Sequence, residues 1–134
     1  MIKRFGVSMD KELLDNFDNF IRKYGYMNRS EAIREIIKER LIEEKVKNEE
    51  GISFGTIVIV YDHEVGDIND KLVDIQHKYL DLVIFSTHIH LDERNCIENI
   101  VLKGKNSDIT SLAQKLRTLK GIISVKFVLT NYNI

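Results

Sequence analysis

The sequence predicts an α+β protein in two parts, a short β-α-α unit followed by a β-α-β-β-α-β unit. Three observations predict it. Apolar residues alternate over Lys3–Met9 and then recur twice at helical spacing. After Gly51 the pattern changes to β-rich runs separated by two amphipathic stripes. The side chains that borderline metal ions prefer crowd into the second part: three of the four histidines and the only cysteine fall between His77 and Cys96.

Composition bounds the rest. At 134 residues the chain can bury a real core and has room for two small domains. Hydrophobic residues at 43% and charged residues at 31% describe a soluble globular protein, and no apolar run reaches the roughly 20 residues of a membrane span. The start, Met1-Ile2-Lys3-Arg4-Phe5, lacks an apolar secretory core, so a cytoplasmic protein with a reduced thiol is expected. The net charge is −1, and residues 1–50 carry eleven Lys/Arg against eleven Asp/Glu. Any nucleic-acid contact must therefore come from a local patch rather than a basic domain.

In the first part, expected over residues 1–48, Phe5, Val7 and Met9 share one face of a strand and Arg4, Gly6 and Ser8 the other. Asp10 can cap the following helix, whose stripe is Leu13, Leu14, Phe17, Ile21 and Tyr24, and Gly25 stops it. Asn28-Arg29-Ser30-Glu31 resembles a capping box for a second helix carrying Ile33, Ile36, Ile37 and Leu41. That helix is expected to end in a charged linker, Glu43 to Gly51. One strand with two unpaired edges is not stable alone. The simplest repair is a homodimer whose two strands pair antiparallel. That is a ribbon–helix–helix unit, which presents its two-stranded ribbon to the DNA major groove. Backbone N–H groups at Asn28, Arg29 and Ser30 would bind phosphate without much positive charge.

The second part, expected over residues 53–134, reads as strand Phe54–Tyr61, a helix with stripe Ile68, Leu72, Ile75 and Tyr79, strands Leu82–Leu91 and Cys96–Leu102, a helix from Ser107, and strand Ile122–Thr130. This is the ferredoxin-like order. Two helices cover one face of four strands, yet Phe54–Tyr61 is apolar on both, so a second subunit is expected on the other face.

His88 and His90 are two apart on a strand and leave the same face. Val83, Phe85, Ile89 and Leu91 make the better core face, which places the histidines on the open side of the sheet. Cys96 meets His90 on that face only if the hairpin loop has an odd number of residues; a two-residue turn at Glu93-Arg94 points the thiol away. His77 lies opposite the core stripe of its helix, flanked by Val73 and Leu80, so it is expected to complete a neighbouring chain's site. Four such ligands fill a four-coordinate shell and leave no position for a substrate water, which argues against an enzyme. Tetrahedral zinc and square-planar nickel or copper both remain open. His63, beside Tyr61 and Asp62, reads as a satisfied strand-end histidine, with a secondary metal site as the alternative.

Together these features resemble the nickel-responsive ribbon–helix–helix repressors. The resemblance rests on the strand Arg4–Met9, the run Asn28-Arg29-Ser30-Glu31-Ala32-Ile33-Arg34, the segment Tyr61-Asp62-His63-Glu64, and the spacing from Gln76-His77 through His88-Ile89-His90 to Cys96-Ile97-Glu98. It implies square-planar Ni(II) held by His88, His90 and Cys96 with His77 of another subunit. It also implies Gln76 and Glu98 in the supporting hydrogen-bond shell, and a homotetramer built as a dimer of dimers. It implies that Arg4, Gly6 and Ser8 read a palindromic operator, though Gly6 has no side chain to read with. It further implies a weaker cation site at Glu31 and Glu35, where an aspartate more commonly stands at the position of Glu35. The function expected is nickel-dependent repression of nickel-uptake genes. The competing expectation is a metal storage or trafficking protein for nickel, copper or zinc, without regulated DNA binding.

Overall fold

The computed structural model describes residues 1–131; the last three residues of the segment expected over 53–134 lie outside the described residues. The chain divides into two compact units, Met1–Arg40 and Leu41–Ile134.

In the first unit, α1 spans Lys11–Tyr24. The Asp10 carboxylate accepts from Leu13 N–H at 2.8 Å and satisfies one of the orphan amides of the first turn. Gly25 ends the helix at φ 75°, the left-handed conformation that glycine adopts without strain, and its N–H bonds the Ile21 carbonyl. The start of α2 (Arg29–Lys47) is capped reciprocally. Asn28 Oδ1 accepts from Glu31 N–H at 2.9 Å, and Glu31 Oε2 accepts from Met27 N–H at 2.7 Å.

Two expectations change in this region. Residues 1–10 form no strand in the single chain, because a strand is defined by a hydrogen-bonded partner and none is present within one copy. Phe5 and Val7 stay 72% and 60% exposed and line a cleft of about 1110 Å³ with Leu14, Phe17, Ile33 and Ile37. And α2 runs to Lys47, five residues into the stretch expected as linker. Glu and Lys are good helix formers, and the Lys47–Glu44 pair at 3.8 Å supports the last turn.

The second unit is a four-stranded antiparallel sheet in the order β2-β3-β1-β4, with β1 Ile52–Asp62, β2 Val83–His90, β3 Asn95–Lys105 and β4 Ile122–Thr130. Helices α3 (Ile68–Lys78) and α4 (Asn106–Arg117) cover one face. Ile57, Ile59 and Tyr61 of β1 and Cys96, Ile100 and Leu102 of β3 are buried there against Ile68, Leu72, Ile109, Leu112 and Leu116. The expected β-α-β-β-α-β order is the observed one. On the uncovered face Phe85, Ile89 and Val128 are exposed. The segment between α2 and β1 is docked rather than free. Asn106, buried at the first position of α4, donates through Nδ2 to Lys45 O at 3.0 Å and Asn48 O at 2.6 Å, and its N–H bonds Gly51 O at 2.8 Å. No helix among the described residues is long and apolar enough to cross a membrane.

Candidate metal centre

The β2–β3 hairpin decides where the thiol points. Leu91 N–H bonds Asn95 O at 2.8 Å, which leaves a three-residue loop, Asp92-Glu93-Arg94. Its length is odd, as the placement of Cys96 beside His90 requires. The Asp92 carboxylate sets this loop, accepting from Asn95 N–H at 2.8 Å, Arg94 N–H at 2.9 Å and Asn95 Nδ2 at 3.0 Å. Those bonds, the Asn95 backbone one foremost, hold the carboxyl below the usual carboxylate range. In the resulting register His90 stands opposite Cys96 and His88 opposite Glu98. His90 Nδ1 lies 3.3 Å from Cys96 Sγ.

The face is not the one expected. Cys96 pairs across β1 with Tyr61, and Glu98 with Ile59, all buried on the helix-covered side. His88 and His90 therefore look toward the helices' side, at the exposed edge that β2 forms, and not out from the open face. The more apolar set of β2 residues is the outward one, and a bulge separates Val83 from it. Val83 pairs with Leu102 but Phe85 with Val101, so two β2 residues oppose one on β3. Strict alternation fails there, and Val83 shares the core face with Ser86, His88 and His90. Phe85, Ile89 and Leu91, expected as core, are more than half exposed.

Around the pair the side chains form a connected set. His88 Nδ1 lies 2.9 Å from Tyr61 Oη, and its ring centroid is 5.1 Å from that of His90. Partial burial, followed by the neighbouring His90 and His63, pushes the His88 imidazolium toward deprotonation, which favours the neutral ring that a metal needs. Burial also pushes the Cys96 thiol up, with the Asp92 and Asp62 carboxylates adding to it. Glu98 is raised by burial, while its Oε2 accepts from Gln76 Nε2 at 2.9 Å. The two residues expected in the supporting shell thus bond each other, with Glu98 the cross-strand neighbour of His88.

His63 joins the cluster as well. One donor atom each from His63, His90 and Cys96 lies within 4.8 Å of the others. Its N–H bonds Arg94 O at 2.9 Å and its Nε2 meets Glu93 O. The sequence alone favours a satisfied strand end for His63, with a secondary metal site as the alternative. The available signal was its position one residue past β1, the strand that pairs with the cysteine strand. His77 is exposed on α3 beside exposed Val73 and Leu80 and is outside this donor group. Imidazole nitrogens and one sulfur at this spacing fit a borderline divalent ion such as Ni(II), which they would hold through nitrogen and thiolate.

The remaining expected residues are placed as follows. Arg4, Gly6, Ser8, Asn28 and Ser30 are exposed. Arg29 is exposed too, but its guanidinium makes a two-pronged contact with Asp18, Nε–Oδ1 and Nη2–Oδ2 both 2.9 Å. Asn28 spends its side-chain oxygen on the cap. Glu31 is likewise engaged in the cap, and Glu35 pairs with Lys38 Nζ at 3.5 Å; neither belongs to a donor cluster among the described residues.

Residues 54–130 match the family model described as the NikR C-terminal nickel binding domain, and residues 3–44 match the ribbon-helix-helix protein, copG family. The chain belongs to the NikR family of nickel-responsive regulators. Relatives named as nickel-responsive regulators include one from Pyrococcus abyssi, 48% identical over 96% of this chain and 93% of its own length. One from Geobacter sulfurreducens is 46% identical over 95% and 91%, and one from Caldanaerobacter subterraneus subsp. tengcongensis 45% over 96% and 84%. The family is one of regulators and not of enzymes, its metal is Ni(II), and its N-terminal domain is a DNA-binding one.

Proposed function

We propose that nickel bound at the hairpin of the C-terminal unit promotes binding of the N-terminal ribbon to a two-fold operator and so represses nickel-uptake genes. The observation that carries this is the His90–Cys96 pair on one hairpin, with His88 next to it and Glu98, bonded to Gln76, across the strands from His88. In this reading His88, His90 and Cys96 of one chain hold the ion with His77 of a second copy. The exposed apolar flank of His77 at Val73 and Leu80 supports a subunit contact there. Phe5 and Val7, with the cleft beside them, would be covered by a second copy whose strand completes the ribbon. The exposed Phe85, Ile89 and Val128 suit a further contact between regulatory units, which makes the assembly a tetramer. Arg4 and Ser8 then face bases, and the start of α2 at Asn28–Ser30 faces phosphate. The protein acts in the cytoplasm.

The test is a gel shift on promoter DNA at fixed salt. Nickel-loaded protein should bind a two-fold site far more tightly than metal-free protein, and Cys96→Ala should show no nickel response. Arg4→Ala should lose sequence discrimination, about 1–3 kcal/mol per guanine contact, while keeping nickel affinity. Equal affinity of metal-free and nickel-loaded protein would sink the sensor reading.

A further inference from the structure

We propose that Arg94 is a positioning residue of the nickel centre, whose guanidinium clamps the β2–β3 turn to the β1–α3 turn and so holds His63 against the His90–Cys96 pair. The proposal rests on the nickel-sensing reading of this hairpin. It starts from an exposed edge. Among the described residues strand β2 is paired only with β3, and it is solvent-exposed along nearly its whole length. No helix covers the loop Asp92–Arg94, whose three residues are exposed. The donors at its base need another restraint to stay within 4.8 Å of His63, which comes from a different turn.

Arg94 provides that restraint. Its Nη2 lies 2.7 Å and its Nε 3.2 Å from Asp62 Oδ2, and Nε is 3.4 Å from Glu64 Oε2. The two carboxylates flank His63 in sequence. The backbone continues the clamp, with His63 N–H on Arg94 O and His63 Nε2 on Glu93 O. Asp62 is not a free surface carboxylate: its side chain is 17% exposed, and its Oδ1 accepts from Glu64 N–H at 3.0 Å. An ordinary surface ion pair contributes little, but a guanidinium fork spanning two carboxylates around a partly buried one is geometrically selective. Lysine, a point charge, cannot reproduce it.

The function of such a clamp is to set how readily the donors separate. Partners outside the first shell of a metal typically alter its retention by 10–100-fold. For an exposed clamp the lower end is expected.

The experiment follows nickel release from pre-loaded full-length protein into excess chelator, read by the thiolate-to-nickel absorption. Wild type, Arg94→Ala, Arg94→Lys, His63→Ala and the Arg94→Ala/His63→Ala double variant are compared, with metal-free melting curves as the folding control. Arg94→Ala should release nickel about 10-fold faster, with Arg94→Lys in between. In the His63→Ala background Arg94→Ala should add nothing, because it acts through that imidazole. Wild-type release should quicken with salt and Arg94→Ala release should not. Release from Arg94→Ala within twofold of wild type overturns the proposal. So does an undiminished Arg94→Ala effect in the His63→Ala background, which a purely structural clamp would give. Cys96→Ala separates the two levels of inference: if it keeps the absorption band, the nickel assignment itself fails, whatever Arg94 does.

Discussion

Tyr61 Oη lies 2.9 Å from His88 Nδ1, with the two rings meeting edge to face at a centroid distance of 5.8 Å. Tyr61 is buried on β1, and burial, then the neighbouring Glu98 and Cys96, pushes its phenol well above the ordinary value. It stays a neutral hydroxyl, fixes the ring of His88 from the Nδ1 side, and leaves Nε2 as the nitrogen free to bind metal.

Tyr61→Phe should therefore weaken nickel binding by about 10-fold or more, while costing the metal-free fold only about 1 kcal/mol for the lost hydrogen bond. Calorimetric titration beside a melting curve checks both. An unaltered nickel affinity would show that this phenol orients nothing the metal uses.

Asp92 sets the loop that brings the thiol to His90. Asp92→Ala removes an acceptor of three hydrogen bonds, including two to backbone amides. The competing two-residue turn at Glu93-Arg94, which turns Cys96 to the other face, becomes more accessible. The expected result is a reduced thiolate-to-nickel band at saturating nickel, with partial recovery in Asp92→Asn, which retains one acceptor. A full-intensity band in Asp92→Ala would mean that strand pairing alone holds the register.

If Cys96 ligates nickel as proposed, its raised thiol makes binding a proton exchange. Because burial favours the neutral thiol, the metal-free protein carries that proton at neutral pH, and nickel must displace it. His88 is shifted the other way, so near neutrality its ring is already unprotonated and contributes little. About one proton per site should be released, and nickel affinity should rise roughly tenfold per pH unit below the thiol pKa. Titration in weak buffer with an indicator dye counts the protons. No release would remove Cys96 from the ligand set.

Donation of His77 across a subunit contact can be tested by complementation. His77→Ala chains and His88→Ala chains should each lack complete sites, yet mixtures should regain a minority of them in hybrid assemblies. Mass spectrometry confirms the exchange, and the absorption band reports the sites. Confirmed hybrids with no recovered band would place the fourth ligand elsewhere.

Much of this was legible because periodic patterning records burial. The extent of α1, the caps at Asp10 and Asn28, the stop at Gly25 and the order of the second unit's elements all follow from local rules, although of the α1 stripe only Ile21 is buried within one copy. What misled was the greater apolar content of the outward face of β2. Taking Val83, Phe85, Ile89 and Leu91 as the core face put His88 and His90 on the open one, but Phe85, Ile89 and Leu91 are exposed and Val83 alone of the four is turned inward, by the bulge at Val83–Phe85. Nothing in the residues Val83-Ile84-Phe85 announces it, since all are apolar and suit either face. His63 was underrated for a different reason. Its partners, Arg94, His90 and Cys96, are some thirty residues away, and only the pairing of β1 with β3 brings them to it. The N-terminal strand is expected to pair with a second copy, and among the described residues of a single copy it has no partner.

The docked segment ahead of β1 changes how this protein can be taken apart. A fragment starting at residue 53, the boundary suggested by patterning, discards the carbonyls of Lys45 and Asn48 that receive the buried Asn106 amide. An abandoned buried donor costs about 1–3 kcal/mol, a large share of a small domain's stability. A fragment starting at Leu41 keeps both acceptors. The same stitching holds the backbone at Lys45 and Asn48, so trypsin cleavage after Lys45 or Lys47 should wait until the contact with the start of α4 opens.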